Sequence, residues 1–209
     1  MRKLKKDVEK SKADKEAVMN AAEEEFAGKG LYGARVDEIA RLSGINKRFI
    51  YRMFENKEEL YKAVLIRAYK KMASAEAEIF TKCETCEETI KKVIKGYFEY
   101  LRNNPSYINL ILWENLNKGE YVSGLDFSEI KNKVVDYILE TIKEGIENGE
   151  FKEDIKPEQI LLSILTFTFS YFSNRYTLSN LLNNKIDFSK DYLKRIDNVT
   201  EMILTYIKK

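Results

Sequence analysis

Histidine does not occur anywhere in this 209-residue sequence. Histidine is the usual general base near neutral pH and one of the commonest zinc ligands, so its absence argues against most hydrolytic triads and zinc sites. A glycine-rich phosphate-binding loop is missing as well. We therefore expect no enzymatic activity, no catalytic residue, no metal site and no cofactor.

Cysteine is scarce, and long apolar runs are missing. Two cysteines cannot build a disulfide framework. The most apolar run, residues 160–172, is well short of the roughly 20 residues that a membrane span requires. The charged N-terminal stretch has no apolar segment of the signal-peptide kind. We expect a cytoplasmic protein with no membrane partner.

Charge is nearly balanced over the whole chain but unevenly placed. The net charge is +2. Residues 1–57 carry 14 Lys and Arg against 10 Asp and Glu, whereas residues 58–209 carry 22 against 24. The protein is therefore not a polycation throughout. Its basic excess is confined to the N-terminal end, which indicates an anionic partner there.

Residues 34–60 have the pattern of two short helices joined by a tight turn and followed by a third, capped helix. Gly44 suits a turn position with positive φ, and Ala40 allows two helices to approach closely. Apolar residues fall at the spacing that buries the facing sides of the two helices; they are Ile39, Ile45, Ile50 and Met53.

The outward side of the second helix is cationic and aromatic. Such groups bind phosphates and base edges, so this pattern predicts a DNA-reading helix. The alternative, an ordinary helical hairpin with a solvated charged face, is less favoured because so many constraints coincide. The outward residues are Asn46, Lys47, Arg48, Phe49, Tyr51 and Arg52.

Helical patterns cover the rest of the chain, and no alternating strand pattern appears. The predicted class is all-α, with about nine helices. Gly28 and Gly30 should end the first helix, and Asn56 should cap the helix that follows the motif. Outside the motif, the predicted helices cover residues 14–27, 56–80, 86–101, 105–116, 127–148, 157–182 and 188–207.

The front of the chain resembles the tetracycline-repressor (TetR) family of bacterial transcriptional regulators. The resemblance covers residues 14–65, whereas the remainder matches only in the number and order of helices. It is carried by Ala21, Ala22, Phe26, Gly30, Val36, Ile39, Ala40, the triplet Ser43-Gly44-Ile45, Ile50, Tyr51, Phe54 and the run Lys57-Glu58-Glu59-Leu60.

The resemblance implies a helix-turn-helix DNA-binding domain at residues 1–57 and an effector-binding and dimerisation domain at residues 58–209. It implies that Tyr51 and Lys57 hold phosphates while Lys47 and Arg48 enter the major groove. The expected partners are a palindromic double-stranded DNA operator, a small hydrophobic effector that releases it, and a second copy of the chain bound through the last two helices. The expected action is repression.

Two departures from the family pattern affect the reading helices. Ala34 and Arg35 stand where the family usually has threonine or serine, which loses a capping oxygen worth ~1 kcal/mol. Arg35 could instead contact a phosphate or a base. Arg48 and Phe49 are larger than the usual residues, so base preference does not transfer, and Phe49 either meets a thymine methyl or packs within the motif.

The dimer prediction also has a basis in the residues. The helix at 157–182 is apolar around more of its circumference than one small core needs, and the last helix carries an apolar stripe. Two such pairs would form a four-helix interface. The alternative is that both stripes belong to an internal core.

Aromatic and apolar residues in the middle of the chain suggest an effector pocket, although ordinary core packing would give the same pattern. Trp113 and Tyr137 are expected away from the DNA reader. Glu114 could pair a cationic ligand and Arg175 an anionic one, but each is expected to be a surface charge. The candidate lining residues are Tyr97, Leu101, Trp113, Tyr137, Phe167 and Tyr171.

Two alternative functions stay open at this point. The Cys83-Glu-Thr-Cys86 pair could sense oxidants or a soft metal, but it offers only two ligands among several carboxylates. A non-specific DNA-coating protein is the other alternative. The large region after the motif argues against it.

Overall fold

The computed structural model describes residues 2–79, 83–123 and 133–209, and the regular structure of these residues is α-helical, as predicted. Ten helices are described, against about nine expected. They are α1 (Arg2–Gly33), α2 (Val36–Ser43), α3 (Lys47–Phe54), α4 (Lys57–Ile79), α5 (Cys86–Asn103), α6 (Pro105–Leu116), α7 (Lys133–Glu147), α8 (Pro157–Ser173), α9 (Arg175–Leu181) and α10 (Tyr192–Ile207).

The chain divides into two compact units. The first consists of Met1–Lys70 and Asn109–Asp126, and the second of Lys71–Ile108 and Phe127–Lys209. Both α4 and α6 therefore contribute residues to each unit. The functional division after residue 57 stays a prediction.

The core of the first unit is built on aromatic residues from separate helices. Phe26 of α1 and Tyr61 of α4 meet edge to face with ring centroids 5.0 Å apart, and Tyr61 meets Tyr121 in the same way at 5.5 Å. Ile39 of α2 and Ile50 of α3 are buried within the same unit. Such burial, and not helix propensity, stabilises helices as short as α2 and α3.

The first helix ends differently from the prediction. Gly28 is an ordinary helical residue, so the expectation that it stops the helix is wrong; the break lies at Gly30, where φ is 66° and ψ is 177°. A Cβ atom at Gly30 would lie 2.7 Å from Cδ2 of Trp113. Glycine is required here by the backbone conformation and by the close approach of the indole ring.

Arg67 links α4 to α1 by several contacts within the first unit. Its guanidinium donates to the Met19 carbonyl at 2.7 Å and to the Asn20 side chain at 2.9 Å. It also forms ion pairs with Glu16 and Glu23. The Arg67 side chain is only 14% exposed, so these contacts fix the crossing of the two helices better than an isolated surface ion pair would.

The second unit is a helical bundle in which α5 contacts α7, α8 and α10. Phe98 of α5 meets the rings of Tyr171 and Phe172 from α8, with centroids 5.7 and 5.9 Å away. Gly145 of α7 allows the fully buried ring of Phe151 to lie against its backbone. The apolar core thus spans all four helices.

Two predicted helix bounds in this unit are wrong. The predicted helix 157–182 is divided at Asn174 into α8 and α9, where the Asn174 amide donates to the Ser170 hydroxyl at 3.0 Å. The last helix begins at Tyr192, not Phe188. The Asp187 carboxylate there accepts from the Ser189 amide and hydroxyl, which forms a turn in place of a helical start.

Candidate nucleic-acid interface

The turn between α2 and α3 is held by its own side chains. Gly44 ends α2 in the left-handed conformation with φ at 71°. The Ser43 hydroxyl accepts from the Ile45 amide at 3.3 Å, and the Asn46 side chain accepts from the Phe49 amide at 2.9 Å. These contacts match the predicted glycine turn and start α3 immediately after it.

The facing sides of α2 and α3 are buried largely as predicted. Val36 and Ile39 of α2 and Ile50 and Phe54 of α3 are each less than a tenth exposed. Ile45 and Met53 are half-buried at the edge. Because this side is anchored, the remaining side of α3 has a fixed set of outward residues.

The outward side of α3 is cationic and carries no acidic residue. Arg48, Tyr51 and Arg52 are exposed, and the Arg52 guanidinium lies over the Phe49 ring at 5.5 Å. The half-buried Phe49 therefore packs against Arg52 within the motif in this structure.

Lys47 has a partner on α2. Its ammonium lies 2.9 Å from the Asp37 carboxylate, and both side chains are largely exposed. This hydrogen bond raises the pKa of Lys47. The pair is weak in water, so a phosphate or a base can replace Asp37 as the partner of Lys47.

Three other predicted DNA-contacting residues have structural contacts. The Asn46 side chain caps α3, and the Lys57 ammonium donates to the Ala34 carbonyl at 3.3 Å. Arg35 is exposed and its side chain makes no cap at α2, as the departure from the family pattern predicted. Its backbone amide donates instead to the buried carboxylate of Glu25 at 3.1 Å.

Glu25 is a residue that the sequence reasoning missed. It is 5% exposed, and its carboxylate binds both the Arg35 amide and the Lys29 ammonium. A carboxylate from α1 thus accepts from the backbone amide of the N-cap residue, which is a different donor from the first-turn amides that a threonine or serine would cap. No local signal in the sequence indicates this contact, because Glu25 and Arg35 are ten residues apart.

The six candidate pocket residues have different surroundings, and their role in effector binding stays a prediction. Tyr97 and Leu101 are buried in the core of the second unit, where the Tyr97 hydroxyl donates to Glu76 at 2.9 Å. Tyr171 is buried and donates to the Phe188 carbonyl at 3.3 Å. Burial raises the pKa of Tyr171 to about 12.

The other three candidates have contacts of their own. Phe167 borders a surface groove between α8 and α10, and Tyr137 borders a small cleft of about 180 Å³ with Cys83 and Cys86. Trp113 belongs to the first unit, where its indole donates to the Ala27 carbonyl at 3.2 Å. The expectation that Trp113 lies away from the reader is therefore wrong, because α1 also packs on α2.

Glu114 is buried, so its expected role as a surface charge is also wrong. It is 2% exposed, and one carboxylate oxygen accepts from the amides of Tyr121 and Val122 at 3.2 and 3.1 Å. Burial and this carboxylate raise the pKa of Tyr69 to about 12. Glu114 thus shapes the turn after α6 instead of facing solvent.

The cysteine pair provides no metal site among the described residues. Cys83 and Cys86 form no disulfide, and no group of three or more potential metal ligands occurs in the described ranges. The Glu150 carboxylate accepts from the Glu87 amide at 3.3 Å at the start of α5. Glu150 therefore holds the start of this helix.

The described helices also include none that is both long and apolar enough to cross a lipid bilayer. In its described part the chain contains a helix-turn-helix with an exposed cationic face in one unit and a helical bundle in the other.

Comparison with known proteins agrees with this architecture. Residues 18–64 match the family described as bacterial regulatory proteins, tetR family, and residues 87–203 match the tetracyclin repressor-like C-terminal domain. The HTH-type transcriptional repressor NicS of Pseudomonas putida is 28% identical over 166 residues, covering 79% of this chain and 78% of that protein.

Solved structures show the same fold. The putative transcriptional regulator SCO4942 from Streptomyces coelicolor has a TM-score of 0.71 at 20% identity, covering 92% of this chain and 97% of that one. The regulator FadR from Bacillus subtilis, in complex with stearoyl-CoA, has a TM-score of 0.65 at 20% identity, covering 88% and 96%. With both parts of the sequence matched and the reading helix in place, this chain belongs to the TetR family of helix-turn-helix transcriptional regulators.

Proposed function

We propose that this protein is a repressor that binds a palindromic operator as a homodimer and releases it when a small molecule binds the second unit. The observation that carries the DNA part is the outward face of α3, where three cationic residues and Tyr51 are presented by a helix anchored on its other side. A major groove admits one such helix, and a dimer places two of them in successive grooves.

The contacts divide into two kinds. Lys47 and Arg48 stand at the start of α3, the end from which a recognition helix reaches base edges, so we assign base reading to them. Tyr51 and Lys57 are assigned to phosphates, where they fix register without reading sequence. Arg35, Asn46, Phe49 and Arg52 complete the proposed interface.

The dimer is proposed to form through α8 and α10. These helices leave large apolar side chains exposed, with Leu162 at 56%, Met202 at 45% and Tyr206 at 63%. The groove between the two helices has a volume of about 1030 Å³ and is bordered by Phe167 and Ile203. Exposed apolar patches of this kind on a soluble domain are typical of protein interfaces.

Release by an effector requires that the ligand prefer a conformation in which the two reading helices no longer fit the groove spacing. We assign the coupling to α4, because this helix begins in the first unit and ends in the second. Regulation by a small molecule is supported by the relative FadR, whose structure contains stearoyl-CoA. Repression is supported by the relative NicS.

Selection of bound DNA from a random pool, followed by fluorescence anisotropy on the selected operator, tests the proposal. We expect a palindromic site bound by two chains, with binding that survives an excess of unrelated DNA. If all sequences bind within a few fold of one another, the protein coats DNA and the repressor proposal is wrong.

A further inference from the structure

A surface cleft in the second unit combines unpaired positive charge with aromatic walls. It has a volume of about 590 Å³ and lies beside the end of α5, the end of α8 and the segment that follows α9. The residues that define its character are Arg102, Phe172, Arg175, Tyr176, Ile186 and Phe188.

Each of the two arginines is positioned by a tyrosine ring. The Arg102 guanidinium lies over Tyr192 at 4.2 Å from the ring centroid and donates to its hydroxyl at 3.3 Å. The Arg175 guanidinium lies over Tyr176 at 4.7 Å and donates to its hydroxyl at 2.9 Å. Stacking on a ring fixes the plane of a guanidinium while leaving most of its five N–H groups available.

Neither arginine is neutralised by a carboxylate in the described part of the chain. Both guanidinium groups donate to tyrosine hydroxyls, and neither forms an ion pair with a described acidic residue. Two lysines of the neighbouring segment do form such pairs, Lys190 with Asp187 and Lys194 with Asp191. Two unpaired guanidinium groups at one cleft favour an anion there.

Asp187 borders the cleft but does not cancel this charge. Its carboxylate accepts from the Ser189 amide, the Ser189 hydroxyl and the Lys190 amide, and it pairs with the Lys190 ammonium at 3.2 Å. These hydrogen bonds lower the pKa of Asp187 to about 2. The carboxylate is therefore committed to its own turn.

The remaining walls are apolar. Phe172 is buried, Phe188 is half-buried against the ring of Tyr171 at 4.8 Å, and Ile186 is exposed at the mouth. A volume of about 590 Å³ is within the range of small-molecule sites, which combine apolar walls with a few fixed polar groups. The pattern fits a molecule with one anionic group and an apolar body.

We propose that this cleft binds a small organic anion, whose carboxylate, sulfonate or phosphate group accepts hydrogen bonds from Arg102 and Arg175 while its apolar body lies on Phe172, Ile186 and Phe188. As a binding site it stands on its own. As the effector site it rests on the proposed function, because only a DNA-binding regulator has an operator to release.

The test uses two dyes that differ in one charged group. 8-Anilinonaphthalene-1-sulfonate carries a sulfonate, and N-phenyl-1-naphthylamine is the same two-part aromatic body without it. Each dye is titrated by fluorescence into the full-length protein and into Arg102→Gln and Arg175→Gln. Lys95→Gln is the matched control, since it removes a positive charge from the exposed face of α5 outside the cleft.

We expect either arginine substitution to weaken binding of the sulfonate dye about tenfold, while binding of the neutral dye stays within about twofold. Lys95→Gln should change neither. The neutral dye also reports whether each variant keeps an intact apolar surface. If the arginine variants bind the sulfonate dye as the wild type does, or lose both dyes equally with an unchanged melting temperature, the cleft is not an anion site.

Operator binding is measured separately by anisotropy, with and without the sulfonate dye. Release of DNA by the dye in the wild type, but not in Arg175→Gln, supports the assignment as effector site. If the dye binds through the arginines and operator affinity does not change, the cleft binds anions but is not the effector site. Failure of the protein to bind any operator would instead overturn the proposed function and leave the anion site standing.

Discussion

Substitution of Gly30 by alanine should destabilise the protein strongly, for two reasons that the structure separates. The backbone at Gly30 has φ 66° and ψ 177°, a region used almost only by glycine, so alanine costs about 1 to 3 kcal/mol there. The new Cβ would also lie 2.7 and 2.8 Å from two ring atoms of Trp113. Displacing a packed ring costs about 1 to 3 kcal/mol more.

Together, the backbone cost and the steric cost of Gly30→Ala lower the free energy of unfolding by about 2 to 6 kcal/mol. This corresponds to a fall in melting temperature of about 5 to 20 °C for a chain of this size. Thermal unfolding followed by circular dichroism, at one fixed protein concentration, measures it. Gly28→Ala is the matched control, because no atom lies within 4 Å of a Cβ placed there and the residue is helical. That substitution should stabilise slightly, by up to about 1 kcal/mol.

A double substitution distinguishes the two causes. In a Trp113→Ala background the steric cost of Gly30→Ala disappears and the backbone cost remains, so the two changes should show a coupling of about 1 to 3 kcal/mol. A Gly30→Ala protein that melts within 1 °C of the wild type would refute the reasoning, since the structure leaves no room for the added methyl group.

Three further outcomes are expected. Met202→Glu should convert the dimer to monomers in sedimentation, because it places a charge on the exposed apolar face of α10. Leu116→Glu changes an exposed apolar residue of α6 and should leave a dimer. A wild-type monomer at micromolar concentration would contradict this prediction. Arg48→Ala should reduce the discrimination between bases by about 1 to 3 kcal/mol of binding free energy at one operator position. Tyr51→Phe should weaken binding to all operator sequences equally. An unchanged ranking of operator variants in binding titrations would exclude base reading by Arg48. Above pH 10 the free energy of unfolding should fall. The folded-state pKa of Tyr171 is raised to about 12, so the unfolded state loses this proton first as the pH rises. Tyr171→Phe should remove that part of the loss between pH 10 and 12, which an alkaline unfolding titration measures.

The DNA reader could be predicted from sequence because its determinants are local. Gly44 and the apolar residues Ile39 and Ile50 act largely through nearby residues, and the structure confirms their turn and burial. Asn56 likewise caps α4 by accepting from the Glu59 amide at 2.8 Å. Periodicity and capping chemistry report such contacts directly.

The division of α8 from α9 was missed because competing hydrogen bonds do not change the apolar pattern. Asn174 interrupts a run whose hydrophobic spacing continues on either side; its backbone has φ −102° and ψ 8°, and its side-chain amide donates to the Ser170 hydroxyl. The start of α10 was missed for a similar reason, since Asp187 closes a turn within a segment that looks helical by composition. Polar residues that can bind the backbone locally are the weak point of pattern reading.

The pocket prediction is still open for a different reason, because it requires knowledge of long-range pairing. Tyr97 and Trp113 are both aromatic residues on neighbouring helices in sequence, yet Tyr97 donates to Glu76 in the second unit and Trp113 donates to Ala27 in the first. Nothing in local spacing indicates which partner each ring has. Aromatic content alone therefore predicts burial but not membership of one cavity.

The position of Trp113 changes what a substitution there would report. Its indole occupies the space beside Gly30, at the end of the helix that packs on α2, and α2 in turn anchors the reading helix α3. The sequence alone predicts that Trp113 lies away from the reader, which would make it a clean probe of effector binding. Because replacing Trp113 alters the support of the reader, it is not one. Arg102 and Arg175 are better probes, because both belong to the second unit and neither contributes to the core that holds α2 and α3.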